Sequence, residues 1–151
     1  MARKLRSFAI HYNISILVKN ENLGVLMLSS NDKLARNISS VTCELKCLEL
    51  LDLSNNGFSR FIPQCLRNSR DRLSVLHLGV NNLHGNIPSI YSERNNLRYL
   101  NFNGNQLKGV VSVINCVNLE FLDLGNSMID DTFSSFLEVL PKLEVIISKV
   151  K

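Results

Sequence analysis

Leucines recur along this chain in one pattern, which is clearest from Leu48 onward. With a few substitutions the pattern reads Leu-x-x-Leu-x-Leu-x-x-Asn-x-(Leu/Phe), and it starts again at Leu73, Leu97 and Leu119, with a shortened copy at Leu143. Successive copies begin 25, 24, 22 and 24 residues apart. Repetition at such a period indicates a solenoid, in which each repeat buries its apolar face against its neighbours.

The middle of each copy predicts a short β-strand. Residues two apart on a strand share a face, so Leu51 and Leu53 point toward a common core while Asp52 points away from it. The asparagine after the strand suits a turn, because an amide both donates to and accepts from backbone groups that a buried turn leaves unpaired. The turn residues of the four full copies are Asn56, Asn81, Asn105 and Ser127. Serine is the shorter substitute, so we expect the fourth turn to be the loosest.

The repeats predict one elongated domain. We expect an irregular N-terminal segment over residues 1–22 and repeats over residues 23–151. The repeats start near residues 23, 48, 73, 97, 119 and 143, the first being a weaker copy and the last a truncated one. The predicted fold is an α/β-type repeat solenoid, a right-handed superhelix with a concave parallel β-sheet, made mostly of strands and irregular convex turns.

The segments around each turn resemble one family. The string LHGNIP (residues 83–88), together with LDLSNN (51–56) and IPQCL (62–66), is similar to the plant-type leucine-rich repeats of extracellular receptor-like proteins of the disease-resistance type. The resemblance covers residues 23 to 147. It implies a non-enzymatic recognition module for signal perception or defence, with a protein or peptide ligand and a co-receptor as partners. It also places the parent protein at the plasma membrane, on the extracellular side.

Other interpretations stay open beside this one. The chain is also compatible with a piece of a leucine-rich-repeat receptor kinase ectodomain, a secreted inhibitor of cell-wall-degrading enzymes, or a truncated product without function. Neither end carries the cysteine-bearing cap that the family usually supplies. We therefore expect an internal fragment of a longer ectodomain or a truncated gene product.

The N-terminus and the sequons bear on the compartment. Residues 7–18 are interrupted by His11 and Asn13 and make a poor signal-peptide core, and no stretch approaches the roughly 20 apolar residues of a membrane span. Asn13 and Asn37 each begin an Asn-x-Ser sequon, so both are predicted glycosylation sites. The sequons favour an extracellular parent protein, and we expect neither a signal peptide nor a membrane helix within this chain itself.

The four cysteines carry different expectations. Cys43 and Cys65 resemble a cysteine pair of the receptor-like family, which implies a disulfide that sequence alone leaves open. Cys116 precedes Leu119 at an inward-facing position, so we expect a buried thiol there. Cys47 has no evident partner.

The charge distribution does not favour a nucleic-acid partner. The formal net charge is +4, yet residues 43–140 hold eight basic and ten acidic residues, a balance of −2. A nucleic-acid groove needs basic residues along one face. Arg67, Arg70 and Arg72 instead cluster on one connecting segment, which we interpret as a solvated loop.

Ligand binding is expected on the strand face that the inward leucines leave uncovered. One outward column consists of Val25, Leu50, Val75, Tyr99, Phe121 and Val145. The next consists of Met27, Asp52, His77, Asn101, Asp123 and Ile147. Neighbouring strands lie about 4.8 Å apart, so the columns form an apolar stripe beside a polar one, which suits a protein or peptide partner.

The candidate ligand-binding residues are Tyr99, Phe121, His77, Asn101, Asp52 and Asp123, with most weight on the aromatic rings. The alternative is that the aspartates satisfy local backbone groups and the rings merely cover the sheet. His77 beside Asp52 is the one pair with acid-base character, and no nucleophile, phosphate loop or metal-ligand spacing accompanies it. We therefore expect no enzyme, no metal and no cofactor.

Overall fold

The computed structural model describes most of the repeat region. The described residues are 20, 22–31, 34, 37–38, 40–66, 72–87, 95–109, 113–129 and 139–148. The predicted glycosylation site Asn13, most of the predicted segment 1–22, and Arg67 and Arg70 lie outside them.

Short strands make up almost all of the regular structure. In chain order they are β1 Val25–Met27, β2 Leu50–Asp52, β3 Ser59–Arg60, β4 Val75–His77, β5 Asn82–Asn86, β6 Tyr99–Asn101, β7 Gln106–Gly109, β8 Phe121–Asp123, β9 Met128–Ile129 and β10 Val145–Ile147. Two short 3₁₀ helices, Ser40–Glu44 and Gln64–Leu66, accompany them. None of the described helices is both long enough and apolar enough to cross a membrane.

Six strands form the predicted parallel sheet, in the order β1-β2-β4-β6-β8-β10. Leu51 pairs in register with Leu76, which pairs with Leu100, and Leu100 pairs with Leu122. These four leucines are at most 1% exposed. The repeat alignment is therefore confirmed, and the inward leucines stack into one core between the strands.

A second parallel sheet, in the order β3-β5-β7-β9, lies where the sequence predicted irregular convex turns. Its strands form because residues after the turn alternate, with Leu83 buried between the exposed residues Asn82 and His84. Gly85 ends this alternation with a φ of 88°. Arg60 reaches a φ of 69°, so its backbone tolerates the left-handed conformation that glycine adopts more easily.

The turn asparagines bond successive repeats to each other. Asn81 donates its amide N–H groups to the Leu53 and Leu78 carbonyls, both at 3.0 Å, and its Oδ1 accepts the Phe58 N–H at 3.0 Å. Asn105 repeats this arrangement one repeat later. Asn56 makes the two equivalent carbonyl bonds one repeat earlier, but its Oδ1 accepts the Asn31 N–H. The backbone groups that the turn leaves unpaired are thus satisfied, as predicted.

The fourth turn has a weaker version of this bonding. Ser127 donates its hydroxyl to the Phe102 carbonyl at 3.2 Å. Within the described residues this is its one hydrogen bond, whereas Asn105 makes four. The side chain that the sequence predicted to be the weaker substitute is the one with fewer bonds.

Each turn also contains a left-handed residue just before the asparagine position. These residues are Ser30, Asn55, Val80, Gly104 and Asn126, with φ values of 58°, 52°, 55°, 65° and 50°. Val80 is the unfavourable member, because a β-branched side chain is a genuine outlier at positive φ. Its side chain is 54% exposed, so burial offsets little of that strain.

The cysteines fall into three environments. Cys43 and Cys65 are joined in a disulfide between the two 3₁₀ helices, with their Cα atoms 5.6 Å apart. Cys47 is unpaired and partly buried. Cys116 is unpaired and buried, and this burial raises the pKa of its thiol from 9.0 to about 12, against an opposing hydrogen bond with Asn95.

Candidate ligand-binding face

Three aromatic side chains form a row across neighbouring strands of the six-stranded sheet. The Tyr99 and Phe121 rings are stacked with their centroids 4.4 Å apart and an interplanar angle of 4°. The His77 ring meets Tyr99 edge to face at 5.7 Å. All three side chains are partly exposed, so the row offers a rigid apolar surface to solvent.

Asp52 extends this row by one strand. Its Oδ1 lies 3.5 Å from His77 Nδ1, and the same oxygen accepts the Ser54 N–H at 3.0 Å and the Ser54 hydroxyl at 2.6 Å. The Asp52 side chain is 15% exposed and that of His77 is 28% exposed. The aspartate therefore has a local structural role and still reaches the surface.

Asn101 and Asp123 form the floor of the face, and they are nearly buried at 7% and 5% exposure. Asp123 Oδ2 accepts N–H groups from Asn101 and Asn103 at 3.3 and 3.1 Å, while its Oδ1 accepts the Gly125 N–H at 2.9 Å. Asn101 Oδ1 accepts the Asn103 N–H at 2.9 Å. The structure thus gives both residues an internal role, and ligand contact by them stays a prediction.

Glycine 79 makes room for two of these polar side chains. A Cβ at this position would lie 2.8 Å from Asn101 Oδ1 and 3.1 Å from His77 Nε2. The His77 and Asn101 side chains therefore occupy the space that a side chain at position 79 would need. The repeat pattern does not indicate this role, although a glycine recurs at the equivalent position, Gly125.

The ionised side chains on this face are carboxylates. Among the described residues of the outward columns, Asp52 and Asp123 carry negative charge and no lysine or arginine occurs. No three described His, Cys, Asp or Glu residues are grouped closely enough to hold a metal ion. The arrangement offers apolar area, hydrogen-bonding groups and negative charge.

A second surface, which the repeat pattern does not indicate, lies beside the N-terminal ends of the same strands. It is an open polar groove of about 590 Å³. Its lining residues are Glu49, Arg72, Ser74, Asn96, Arg98, Asn118, Glu120 and Lys142. Arg98 and Glu120 form a two-point ion pair there at 2.9 and 3.0 Å, and such solvent-exposed pairs stabilise by at most about 1 kcal/mol.

Sequence profiles of leucine-rich repeats match two parts of the chain. A single Leucine Rich Repeat matches residues 47–69, and Leucine Rich repeats (2 copies) match residues 95–138. Receptor-like protein 35 of Arabidopsis thaliana is 37% identical over 123 residues, which are 80% of this chain. The chain spans 13% of that protein's length.

Solved structures of plant receptors share the fold. The plant peptide hormone receptor RGFR1 in complex with RGF2 has a TM-score of 0.81 at 26% identity, over 89% of this chain and 22% of that chain. The Arabidopsis receptor kinase HAESA, in complex with the peptide hormone IDA and the co-receptor SERK1, has a TM-score of 0.63 at 26% identity, over 89% and 27%. The repeat register, the matching profiles and these similarities show that the chain belongs to the leucine-rich-repeat family, as a segment similar to plant receptor-like proteins.

Proposed function

We propose that this chain is a recognition segment of a receptor ectodomain and that its concave face binds a peptide or an extended protein segment. The stacked pair of Tyr99 and Phe121 carries the proposal, because two held rings on adjacent inner strands of the sheet expose apolar area at little entropic cost. His77 and Asp52 beside them supply directional polar contacts. We propose no catalytic step for these residues.

The comparisons support the partner and the location that we propose. RGFR1 is a peptide hormone receptor in complex with RGF2. HAESA is in complex with both the peptide hormone IDA and the co-receptor SERK1. The 37% identity to Receptor-like protein 35 supports a receptor-like protein as the parent of this chain. We propose that the parent acts at the extracellular side of the plasma membrane and associates with a co-receptor after ligand binding.

A receptor kinase ectodomain is the second candidate, because HAESA is named a receptor kinase and shares this fold. The two candidates use the same binding face, so the site does not distinguish them. The coding sequence downstream of these repeats does, since it either encodes a kinase domain or does not.

The binding experiment uses the 151-residue chain, produced through an oxidising secretory pathway. Peptides are selected from a random display library, and their affinity is measured by titration calorimetry. We expect Tyr99→Ala to weaken binding by at least tenfold, since a central aromatic contact contributes about 2 kcal/mol. Phe61→Ala is the matched control, because Phe61 is 65% exposed and belongs to the segment after β3 rather than to the concave sheet.

The two variants must melt like the parent chain for this comparison to hold. The proposal is contradicted if Tyr99→Ala and the parent chain bind every selected peptide with equal affinity. Equal weakening by Phe61→Ala also contradicts it, because binding then does not depend on the concave face.

A further inference from the structure

We infer that the segment bound on this face is an extended peptide that places a positively charged side chain at Asp52 and an apolar side chain, four residues away, on the Tyr99–Phe121 pair. The inference rests on the proposed function and specifies the ligand of that site. It follows from three observations: the charge of the face, the bonding of its two aspartates, and the distance between Asp52 and the stacked rings.

The charge of the face selects against an acidic segment. Asp52 and Asp123 are the ionised groups of the described outward columns, and no lysine or arginine accompanies them there. A glutamate or aspartate in the ligand would approach these carboxylates without a compensating cation. A lysine or arginine would meet a complementary charge, which favours the correct register of the bound segment.

The two aspartates differ in what they still offer a ligand. Both oxygens of Asp123 accept hydrogen bonds inside the face, and its exposure is 5%. In Asp52 all of the observed contacts fall on Oδ1, and Oδ2 accepts no hydrogen bond from any residue that the structure describes. Asp52 is therefore the carboxylate with an unused acceptor at the surface, and a ligand ammonium or guanidinium group is the donor that fits it.

The spacing follows from the sheet. Asp52 is on β2, whereas Tyr99 and Phe121 are on β6 and β8, two and three strands away. With about 4.8 Å between strands and about 3.4 Å per residue along them, the centre of the stacked pair lies roughly 14 Å from Asp52. An extended peptide covers that distance in about four residues, and side chains four apart on an extended peptide point to the same side.

The experiment measures how a set of synthetic peptides binds to the whole chain by fluorescence polarisation. The reference peptide has arginine at one position and leucine four residues later, in a background of glycine, serine and threonine. Its variants replace the arginine with glutamine or glutamate, or change the separation to two, three or five residues. We expect glutamine to weaken binding about five- to tenfold and glutamate to weaken it further, since the lost contact is a charged hydrogen bond.

The protein variants locate the effect. Asp52→Asn keeps an oxygen that can accept the Ser54 N–H but removes the charge, and we expect it to abolish the preference for arginine over glutamine. Glu49→Gln is the matched control, because Glu49 is an exposed residue of the same repeat and the substitution removes the same charge. We expect Glu49→Gln to keep the preference.

The outcomes separate this inference from the proposed function. Binding that depends on Tyr99 but shows no preference for arginine, or a preference that survives Asp52→Asn, overturns the inference and leaves the proposed function standing. Binding of the set that is indifferent to both Tyr99→Ala and Asp52→Asn overturns both. An absence of binding by all peptides of this set up to millimolar concentration overturns the inference alone, if library-selected peptides bind. The comparison of arginine and glutamine peptides on the unaltered chain needs no protein variant, so a folding defect in Asp52→Asn does not remove the test.

Discussion

Replacing the turn residue Asn81 with alanine should destabilise the chain more than replacing any asparagine that lies outside the turns. The Phe58 N–H, which is buried, has Asn81 Oδ1 as its one hydrogen-bond partner among the described residues. The Leu53 and Leu78 carbonyls would each lose one of two amide donors, because Asn56 and Asn105 donate to the same oxygens. The Gly79 carbonyl would also lose the Asn81 amide, at 3.3 Å, and would keep the Asn55 N–H. The variant therefore creates one orphaned donor and three weakened acceptors.

The expected cost follows from those four groups. An unsatisfied buried donor costs about 1–3 kcal/mol, and each of the three carbonyls that keep a second donor loses roughly 0.5 kcal/mol, so the free energy of unfolding should fall by about 2.5–4.5 kcal/mol. Urea unfolding of the full chain, followed by far-ultraviolet circular dichroism, measures this change. Native-state hydrogen exchange gives a local readout, since the Phe58 amide should exchange faster in the variant.

Asn82→Ala is the matched control. Asn82 is the adjacent asparagine, its side chain is exposed, and its backbone N–H bonds to the Phe58 carbonyl without help from the side chain. We expect this variant to change the free energy of unfolding by no more than about 0.5 kcal/mol. A cost below 1 kcal/mol for Asn81→Ala, or equal costs for both variants, would refute the reasoning that the turn amides hold the repeats together.

Further predictions concern three other parts of the fold. Val80→Asn should stabilise the chain by about 1 kcal/mol in the same urea assay, because asparagine tolerates the φ of 55° and the valine is 54% exposed; a loss of stability would contradict this. Cys116 should resist iodoacetamide at pH 8 in the folded chain while Cys47 reacts, because burial raises the pKa of Cys116 from 9.0 to about 12. As the pH rises, the thiol ionises in the unfolded chain before it does so in the folded chain, so the stabilisation from the raised pKa is complete below pH 9.0 and declines toward pH 12. Between pH 8 and 10.5 the free energy of unfolding of the parent chain should therefore fall by about 2 kcal/mol more than that of Cys116→Ala. Parallel pH profiles of the two chains would contradict this prediction. Asn37, which is exposed beside Ser59, should carry a glycan after secretion from a eukaryotic host, and mass spectrometry after enzymatic deglycosylation should find aspartate there rather than asparagine.

The repeat pattern was sufficient to predict the concave sheet and its register. Each copy places a leucine at the same step, so aligning Leu51 with Leu76 also aligns every outward residue between the copies. The pairing of Tyr99 with Phe121 follows from that alignment. The pattern does not choose between stacked and edge-to-face rings, because aromatic pairs favour both arrangements.

Other features of the structure are not determined by the repeat pattern. The second sheet was missed because its strands are short and show only a brief alternation around Leu83, which also fits an irregular turn. The outward column correctly placed Asp123 on the concave face, but it could not tell that the side chain bends down onto the Gly125 amide. The positive φ of Val80 was not foreseen, because valine is a residue that local propensity excludes from that conformation.

The turn amides have a consequence for how such an array changes over generations. Asn81 bonds to a carbonyl of the repeat before its own, and Asn105 does the same one repeat later, so every unit presents the same acceptors to its successor. Duplication or loss of one whole unit in the gene therefore restores all of these bonds at the new junction. Successive copies begin 25, 24 and 22 residues apart, so a small change of length in a connecting segment also keeps these bonds. Unequal recombination between repeats is the route by which the array can change its length by a whole repeat and still fold.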